Sequence, residues 1–203
     1  MEITMTPMKT NQINSLLLLL WKVLAVSLLL SACQSLPTGI AAADQQKIDR
    51  LLTLMDQRLN VAVMVAQSKW NSGAPINDPV REQKILDDLS ASLTSASEDE
   101  KAFMRRFFQA QFDAGKLIQL DLHAQWRREK RERFIAPPDL ARDIRPELDR
   151  LTPLLIDTLN QTLPSLKQAA ARHYLQQRSE VLLRGDVNGT ARREAVRVLL
   201  EIR

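Results

Sequence analysis

Cysteine, histidine and glycine are scarce in this chain of 203 residues, which contains one Cys, two His and five Gly. A single Cys cannot form a disulfide within the chain. His123 and His173 stand alone, without the spacing of metal ligands, and no zinc motif, glycine-rich phosphate loop or nucleophile elbow is present. These absences fit a reaction that needs no metal, no cofactor and no covalent intermediate.

The composition indicates an all-α protein, because 45% of the residues are hydrophobic and long runs are rich in Leu, Ala, Gln, Arg and Glu. Pro146, Pro153 and Pro164 are predicted to mark helix starts or kinks. The patterns predict a bundle of about six helices with one long central helix: 44–70, 79–93, 98–134, 147–162, 165–182 and 188–202. The net charge of +4 suits a small anionic substrate and is too weak and dispersed to require nucleic acid.

The first 33 residues are predicted to be a targeting segment (signal peptide) rather than part of the fold. Two apolar runs, Leu16–Leu20 and Val23–Leu30, flank Lys22 and lead to Ser-Ala-Cys, ending at Cys33. Small residues before a Cys are typical of a bacterial lipoprotein signal, in which the Cys is lipidated and becomes the new N-terminus. We therefore expect an exported protein of the periplasm whose only membrane contact is the lipid on Cys33.

Several features of this N-terminal segment stay open. Gln34 follows the Cys in place of an Asp typical of inner-membrane retention, which favours the outer membrane, and residues 34–43 would form a tether. In one alternative the leader is cleaved elsewhere, which gives a soluble periplasmic protein. In another the apolar stretch stays as a membrane anchor, which its short runs and its Lys disfavour. The initiator is either Met1 or Met8.

One predicted helix face carries two cations. Arg58, Ala62, Val65 and Lys69 recur at a spacing that places all four on the same side of a helix. The two cations would lie roughly 16 Å apart along the axis, with an apolar floor between them. Such a pair could hold a small dianion, although each could also be an ordinary charge on a solvated face.

The next predicted helix brings further charges to the same region. Asp78 followed by Pro79 is a strong helix start, with Asp as the N-cap and Pro in the first turn. Arg81 and Glu82 then fall in the opening turns. Without a substrate, Asp78 would simply be a capping residue, and Arg81 and Glu82 an ordinary surface pair.

The long helix carries an amide and a glycine in unusual places. Gln119 shares an otherwise apolar stripe with Phe108, Phe112 and Leu122, so its amide is predicted to be buried, and a buried amide needs partners. Gly115 lies on the same stripe. Glycine inside a helix costs about 1 kcal/mol relative to alanine, which suggests the close approach of a ligand or of another helix.

In order and spacing, these residues resemble the all-helical (AroQ-type) chorismate mutases. The residues that carry the resemblance are Arg58, Lys69-Trp70 and Pro75-Ile76-x-Asp78-Pro79-x-Arg81-Glu82. A later run is similar to the exported, secreted subclass of that family: Phe107-Phe108-x-x-Gln111-x-x-Ala114-x-Lys116-x-Ile118-Gln119. Together the motifs cover most of residues 44–126.

The resemblance implies a catalytic helical core over 44–135, a C-terminal helical extension over 136–203 that packs on it, and a homodimer. It implies that chorismate, a small dianion, is rearranged to prephenate without a cofactor, by a pericyclic reaction that needs positioning and preorganised charge. The alternative is a non-catalytic helical lipoprotein that binds a related metabolite or acts as a scaffold. A decayed site would have lost its charged residues, and here they are present.

By the same resemblance, arginines would hold the substrate carboxylates, because a guanidinium group makes planar bidentate contacts. Arg58 and Arg81 match in position. In the secreted subclass a further Arg from the C-terminal half reaches the site. Arg145 is the best match for it, and Arg142 is the fallback because the alignment needs a one-residue shift.

The remaining roles that the resemblance implies are those of hydrogen-bond donors and acceptors. Lys69 and Gln119 would donate to the ether oxygen, while Glu82, with help from Asp78, would accept from the ring hydroxyl. Relatives usually carry Ser, Thr or Asn where this chain has Gly115. A side-chain contact to a carboxylate is therefore missing, and a backbone amide or a water would replace it. No metal ligand belongs to this set.

Overall fold

Six α-helices and one π-helix form the described part of the chain, residues 39–185 and 189–202 of a computed structural model. These residues contain no strand, and the predicted all-α fold is confirmed. In chain order the helices are α1 (Ala42–Ser72), α2 (Pro79–Ser92), α3 (Glu98–Arg128), the π-helix (Leu140–Ile144), α4 (Arg145–Leu166), α5 (Ala169–Leu182) and α6 (Thr190–Leu200). The two longest, α1 and α3, have 31 residues each.

Local capping chemistry fixes the starts of α2 and α3 as the sequence predicts. The Asp78 side chain accepts a hydrogen bond from the Arg81 backbone N–H at 3.2 Å, which caps α2. At α3, Ser97 Oγ accepts from the Glu100 backbone N–H at 3.2 Å, while Glu100 Oε2 accepts from the Ser97 N–H at 2.8 Å. This reciprocal pair is a capping box. The α2 start matters most for function, because it sets the position of the charged first turn.

The long helix ends earlier than predicted, at Arg128 rather than at residue 134. Lys130 adopts a positive φ of 52°, and the N–H groups of Lys130 and Arg131 bond back to Arg127 and Trp126. This is the pattern of a Schellman motif, which terminates a helix. The prediction that this helix continues to residue 134 is wrong for this reason.

Contacts with α1 hold the chain in its new direction after that turn. The Asn71 side chain bonds both backbone groups of Phe134, donating to its carbonyl at 2.8 Å and accepting from its N–H at 2.9 Å. The indole N–H of Trp70 donates to the Glu132 carbonyl at 3.3 Å. These long-range bonds replace the helical bonds that local propensity would have favoured.

The C-terminal helices also differ from their predicted limits. Pro146 lies at the start of α4 as expected, but Pro153 and Pro164 both lie inside this helix, which continues to Leu166. The predicted helix start after Pro164 is therefore wrong. Apolar side chains of α4 on both sides of Pro153 pack in the core, and this burial outweighs the lost backbone hydrogen bonds. The last predicted helix, 188–202, corresponds to α6, and residue 188 lies outside the described residues.

The core forms around α1. This helix packs against α3, α4 and α5, while α6 packs against α3. The described residues from Ile40 onward belong to one compact unit. By contrast, α2 buries only Leu86 and Leu89 and packs mainly on α3. The helix with the charged first turn thus has a small apolar anchor of two buried leucines.

The predictions for the N-terminus concern residues that lie almost entirely outside the described part of the chain. The leader, the lipidated Cys33 and residues 34–38 of the tether are among those not described, and only residues 39–43 of the tether are. None of the described helices is both long enough and apolar enough to cross a bilayer. The targeting segment therefore stays a prediction.

Candidate active site

A cavity of about 360 Å³ lies between α1, α2, α3 and the start of α4. Every residue predicted for the substrate site lines it: Arg58, Lys69, Asp78, Arg81, Glu82, Gly115, Gln119 and Arg145. Ala62 and Val65 line the cavity as well, as their spacing on α1 predicts. Residues that are up to 87 positions apart in the sequence, from 58 to 145, thus meet at one place.

The charges that line the cavity are unequal in number. Five cationic side chains face two carboxylates, those of Asp78 and Glu82, and apolar side chains from α1, α3, the π-helix and α4 form much of the remaining wall. Apolar walls lower the local dielectric constant and so strengthen the electrostatic interactions of each charge that faces the cavity. Among the described residues, no group of three or more His, Cys, Asp or Glu could hold a metal ion. Because cationic side chains outnumber carboxylates, the cavity is suited to a small anion.

Arg58 is the cation with the most unusual surroundings. Its guanidinium carbon lies 5.3 Å from the centroid of the Phe112 ring and 5.8 Å from that of Phe108, and no carboxylate of the described residues pairs with it. Burial lowers the pKa of Arg58 to about 10. Two aromatic faces are a weak substitute for a counter-ion. An anionic ligand would supply what this charge lacks.

Lys69 is fixed by the loop that joins α1 to α2. Gly73 ends α1 with a φ of 70°, a left-handed conformation that suits glycine, and the chain then turns back over the cavity. Lys69 Nζ donates to the Ile76 carbonyl at 2.9 Å. Burial lowers the pKa of Lys69, partly opposed by the nearby charges of Asp78 and Glu82. The ammonium group thus has one protein partner and donors to spare.

The first turn of α2 presents three charges in different states. Asp78 is engaged as the N-cap, and the Arg81 side chain is exposed with no ion pair among the described residues. Glu82 is mostly buried. Its Oε2 accepts from Lys116 Nζ at 2.9 Å and from Gln109 Nε2 at 3.3 Å. Arg81 is thus available to an anion, and Glu82 is held from α3.

Gln119 is buried as predicted and is only 7% exposed. Its amide N–H donates to the Gly115 carbonyl at 3.2 Å, and its Oε1 has no partner in the described structure. The second N–H of the amide remains for a ligand. A Cβ at Gly115 would lie 3.6 Å from Ala62 of α1, an ordinary contact. The helices therefore approach closely here, but the space would accept an alanine.

The structure separates the two arginines that the sequence left as alternatives. Arg145, the first residue of α4, lines the cavity. Arg142 lies in the π-helix, is exposed, and bonds both oxygens of Asp143 at 2.9 and 3.0 Å. It does not line the cavity. Asp139 caps the π-helix by accepting from two backbone N–H groups, and so fixes where α4 begins.

Sequence reasoning missed two polar residues of the cavity, Lys116 and Gln111. Both stand in the run that carries the family resemblance, but nothing in their spacing to α2 or α6 revealed their partners. Gln111 is 2% exposed and donates to the Ala195 carbonyl of α6 at 2.8 Å, while its Oε1 has no partner among the described residues. Because that partner can only accept, the orientation of the amide is determined.

Comparison with known proteins identifies the family. Residues 39–120 match the family described as Chorismate mutase type II. A protein named secreted chorismate mutase, from Mycolicibacterium smegmatis, is 30% identical over 149 residues, which are 72% of this chain and 80% of the relative. The chain belongs to the type II chorismate mutase family.

Solved members of the family have the same fold. The crystal structure of chorismate mutase from Burkholderia thailandensis has a TM-score of 0.63 and 30% identity, and the match covers 75% of this chain and 98% of that one. The chorismate mutase from Burkholderia phymatum gives a TM-score of 0.62 at 28% identity, with 78% and 98% coverage. These matches extend well beyond residue 120, and so into the C-terminal helices.

Proposed function

We propose that this chain is a chorismate mutase, an isomerase that rearranges chorismate to prephenate in the cavity between α1, α2, α3 and α4. Membership of the type II chorismate mutase family supports this activity. The observation on this molecule that carries the proposal is Arg58, a cation that faces the cavity without a carboxylate partner in the described residues. A dianionic substrate supplies two such partners.

Three arginines hold the substrate carboxylates in this proposal. Arg58, Arg81 and Arg145 line the same cavity from α1, α2 and α4, and none has an ion pair among the described residues. Their positions on three separate helices allow them to grip a dianion from several sides. This grip folds the flexible enolpyruvyl side chain over the ring, in the conformation that reacts.

Lys69 and Gln119 act on the bond that breaks. As the ether C–O bond breaks and the new C–C bond forms within the same molecule, negative charge grows on the ether oxygen. Lys69 has donors beyond its bond to Ile76, and Gln119 has a second amide N–H. Donors placed in advance at that oxygen stabilise the transition state more than the ground state, and one such donor is typically worth about 3–4 kcal/mol.

Glu82 accepts a hydrogen bond from the ring hydroxyl, and Asp78 supports this contact by starting α2 at the right place. Both carboxylates line the cavity. Because residue 115 is glycine, one carboxylate of the substrate has no side-chain partner from α3 at this position. An oxygen of that carboxylate bonds to a backbone amide or to water instead. This affects affinity rather than the type of reaction.

We also infer that the protein is exported, belongs to the secreted subclass and acts as a homodimer in the periplasm, with the lipid on Cys33 holding it to the outer membrane. The relative named secreted chorismate mutase supports export. In this arrangement residues 44–135 form the catalytic core and 136–203 an extension that contributes Arg145. Cys33→Ser should move the protein from the membrane fraction to the soluble periplasm, and unchanged partitioning would rule out the lipid.

The decisive experiment is a direct assay with the purified protein. Chorismate absorbs in the ultraviolet, so turnover appears as a loss of absorbance, and the product can be identified as prephenate. Arg58→Ala removes the unpaired cation that faces the cavity, and this variant should lose most of the activity. No turnover by micromolar wild-type protein that binds chorismate would indicate a non-catalytic binding protein instead.

A further inference from the structure

A four-residue polar network joins the first turn of α2 to α3. Lys116 Nζ lies 2.9 Å from Glu82 Oε2 and 2.9 Å from Asp113 Oδ1. Gln109 Nε2 donates to the same two oxygens, at 3.3 Å and 3.0 Å. The side chains of Lys116 and Glu82 are only 20% and 18% exposed. The contact between Lys116 and Glu82 is thus shielded from solvent, where it is worth more than on an open surface, while Asp113 at the outer edge is 37% exposed.

The members on α3 share one face of that helix. Gln109, Asp113 and Lys116 are spaced at i, i+4 and i+7, which places them in a row along the side that faces α2. Two donors therefore converge on a single oxygen of Glu82. Its other oxygen, Oε1, has no hydrogen-bond partner in the described part of the chain, and Glu82 lines the cavity. A carboxylate fixed through one oxygen presents the other in a defined direction.

This attachment matters because the apolar anchor of α2 is small. The helix buries only Leu86 and Leu89, and Val80 in its first turn is 81% exposed. A second polar contact, Arg105 to Asp87 at 2.8 Å, holds α2 further along. At the cavity end, the network around Lys116 is what ties Glu82 to the bundle.

Lys116 itself is not available to a substrate anion. Its ammonium group already contacts two carboxylates, those of Glu82 and Asp113. Burial alone would lower the pKa of Lys116, but its hydrogen bonds to Asp113 and Glu82 raise it above the usual value. The group therefore stays charged throughout any practical assay range. A cation that already pairs with two carboxylates is poorly suited to bind a dianion. It can instead orient one of those carboxylates.

We propose that Lys116 is a positioning residue of the chorismate mutase reaction: it fixes Glu82 through Oε2, so that Oε1 can accept the hydrogen bond of the substrate ring hydroxyl. Gln109 assists as the second donor, and Asp113 orients both donors. This inference rests on the proposed function, because it assigns Lys116 a task at the same site. It predicts that Lys116 acts on catalysis only through Glu82.

The test is a double-mutant cycle on the full chain, with Lys116→Met and Glu82→Gln measured singly and together. In the wild-type background, Lys116→Met should lower kcat/KM by about 10- to 100-fold, since a misplaced contact loses its value. In the Glu82→Gln background it should change kcat/KM less than two-fold. Lys116→Arg, which keeps the charge, should recover most of the activity.

Controls separate positioning from a structural role. Lys84→Met removes a lysine from the outer side of α2, where Lys84 pairs with Asp88 and is 74% exposed, and should leave kcat/KM unchanged. If Lys116→Met does not fold by circular dichroism, Gln109→Leu takes its place in the same cycle. An effect of equal size in both Glu82 backgrounds, or no effect in either, would overturn the inference. Absence of turnover in the wild type would instead overturn the proposed function.

Discussion

The Arg58 guanidinium lies against the ring of Phe112, with 5.3 Å between the guanidinium carbon and the ring centroid. Among the described residues, no Asp or Glu side chain forms an ion pair with Arg58. Burial lowers the pKa of Arg58 to about 10 because the charged form is poorly solvated there. The protein thus holds a charge at a cost in stability, which is expected where that charge serves a ligand.

Arg58→Met should make the protein more stable and nearly inactive. The substitution replaces a poorly solvated cation by an apolar side chain of similar length, so the free energy of unfolding should rise by about 1–2 kcal/mol. The same change should reduce kcat/KM by 100-fold or more, or about 3 kcal/mol. Urea denaturation and steady-state kinetics measure the two effects. Arg50→Met, at an exposed position on the same helix, should alter neither; destabilisation by Arg58→Met would contradict the argument.

Activity should fall in alkaline solution. Lys69 loses its proton at a pH below its ordinary 10.5, and Arg58 at about 10, so kcat/KM should decline as the pH rises toward 10. A bound dianion favours the charged forms, so the decline in kcat should occur at higher pH. Profiles from pH 7 to pH 10.5 test this, and coincident declines would count against binding of the dianion beside these cations.

Unfolding through Arg58 would not explain such a decline. The pKa of Arg58 is about 10 in the folded protein, well below its ordinary value in the unfolded chain. Between these limits the unfolded chain binds more protons, so the contribution of Arg58 to stability increases as the pH rises. Circular dichroism at each pH should therefore show an intact helical signal through the range in which kcat/KM begins to fall.

Gln119→Glu should make the activity depend on acid. An ionised carboxylate would repel the charge that develops on the ether oxygen, whereas a protonated one could donate to it. Gln119 is 7% exposed, and such burial favours the protonated form of a carboxyl group. The variant should therefore gain kcat/KM as the pH falls from 8 to 5. Gln125→Glu, at an exposed position on α3, should keep the parent profile. A Gln119→Glu profile like that of the parent would show that this amide does not face the breaking bond.

The parts of the site that could be predicted from the sequence are those that depend on helical periodicity and helix capping. Helical spacing placed Arg58 and Lys69 on one face of α1, and the Asp78 cap set the start of α2. It also placed Gln119 on the buried side of α3. Each of these follows from periodicity or capping within a single helix, which is why a single sequence was enough to predict them.

The features that were missed depend on contacts between distant segments. The end of α3 at Arg128 involves bonds between Asn71 and Phe134, which lie 63 residues apart. The link from Lys116 to Glu82 spans 34 residues and two helices. Neither leaves a periodic pattern in the sequence. The run of α4 through Pro164 likewise reflects burial in the core, which local propensity does not contain.

Arg145 and Arg142 provide the last test, because they are only three residues apart and only one of them lines the cavity. Arg145 lines the cavity at the first residue of α4, whereas Arg142 lies outside the cavity lining and already bonds both oxygens of Asp143. A contact to a substrate carboxylate exists in the ground state as well as in the transition state, so its loss acts mainly on binding. Arg145→Ala should therefore raise KM, and lower kcat/KM by about 10- to 100-fold, with a smaller change in kcat. Arg142→Ala should leave both constants within about two-fold, as expected of an exposed ion pair. Kinetics on the two purified variants decide between them, and a larger loss in Arg142→Ala than in Arg145→Ala would reverse the assignment.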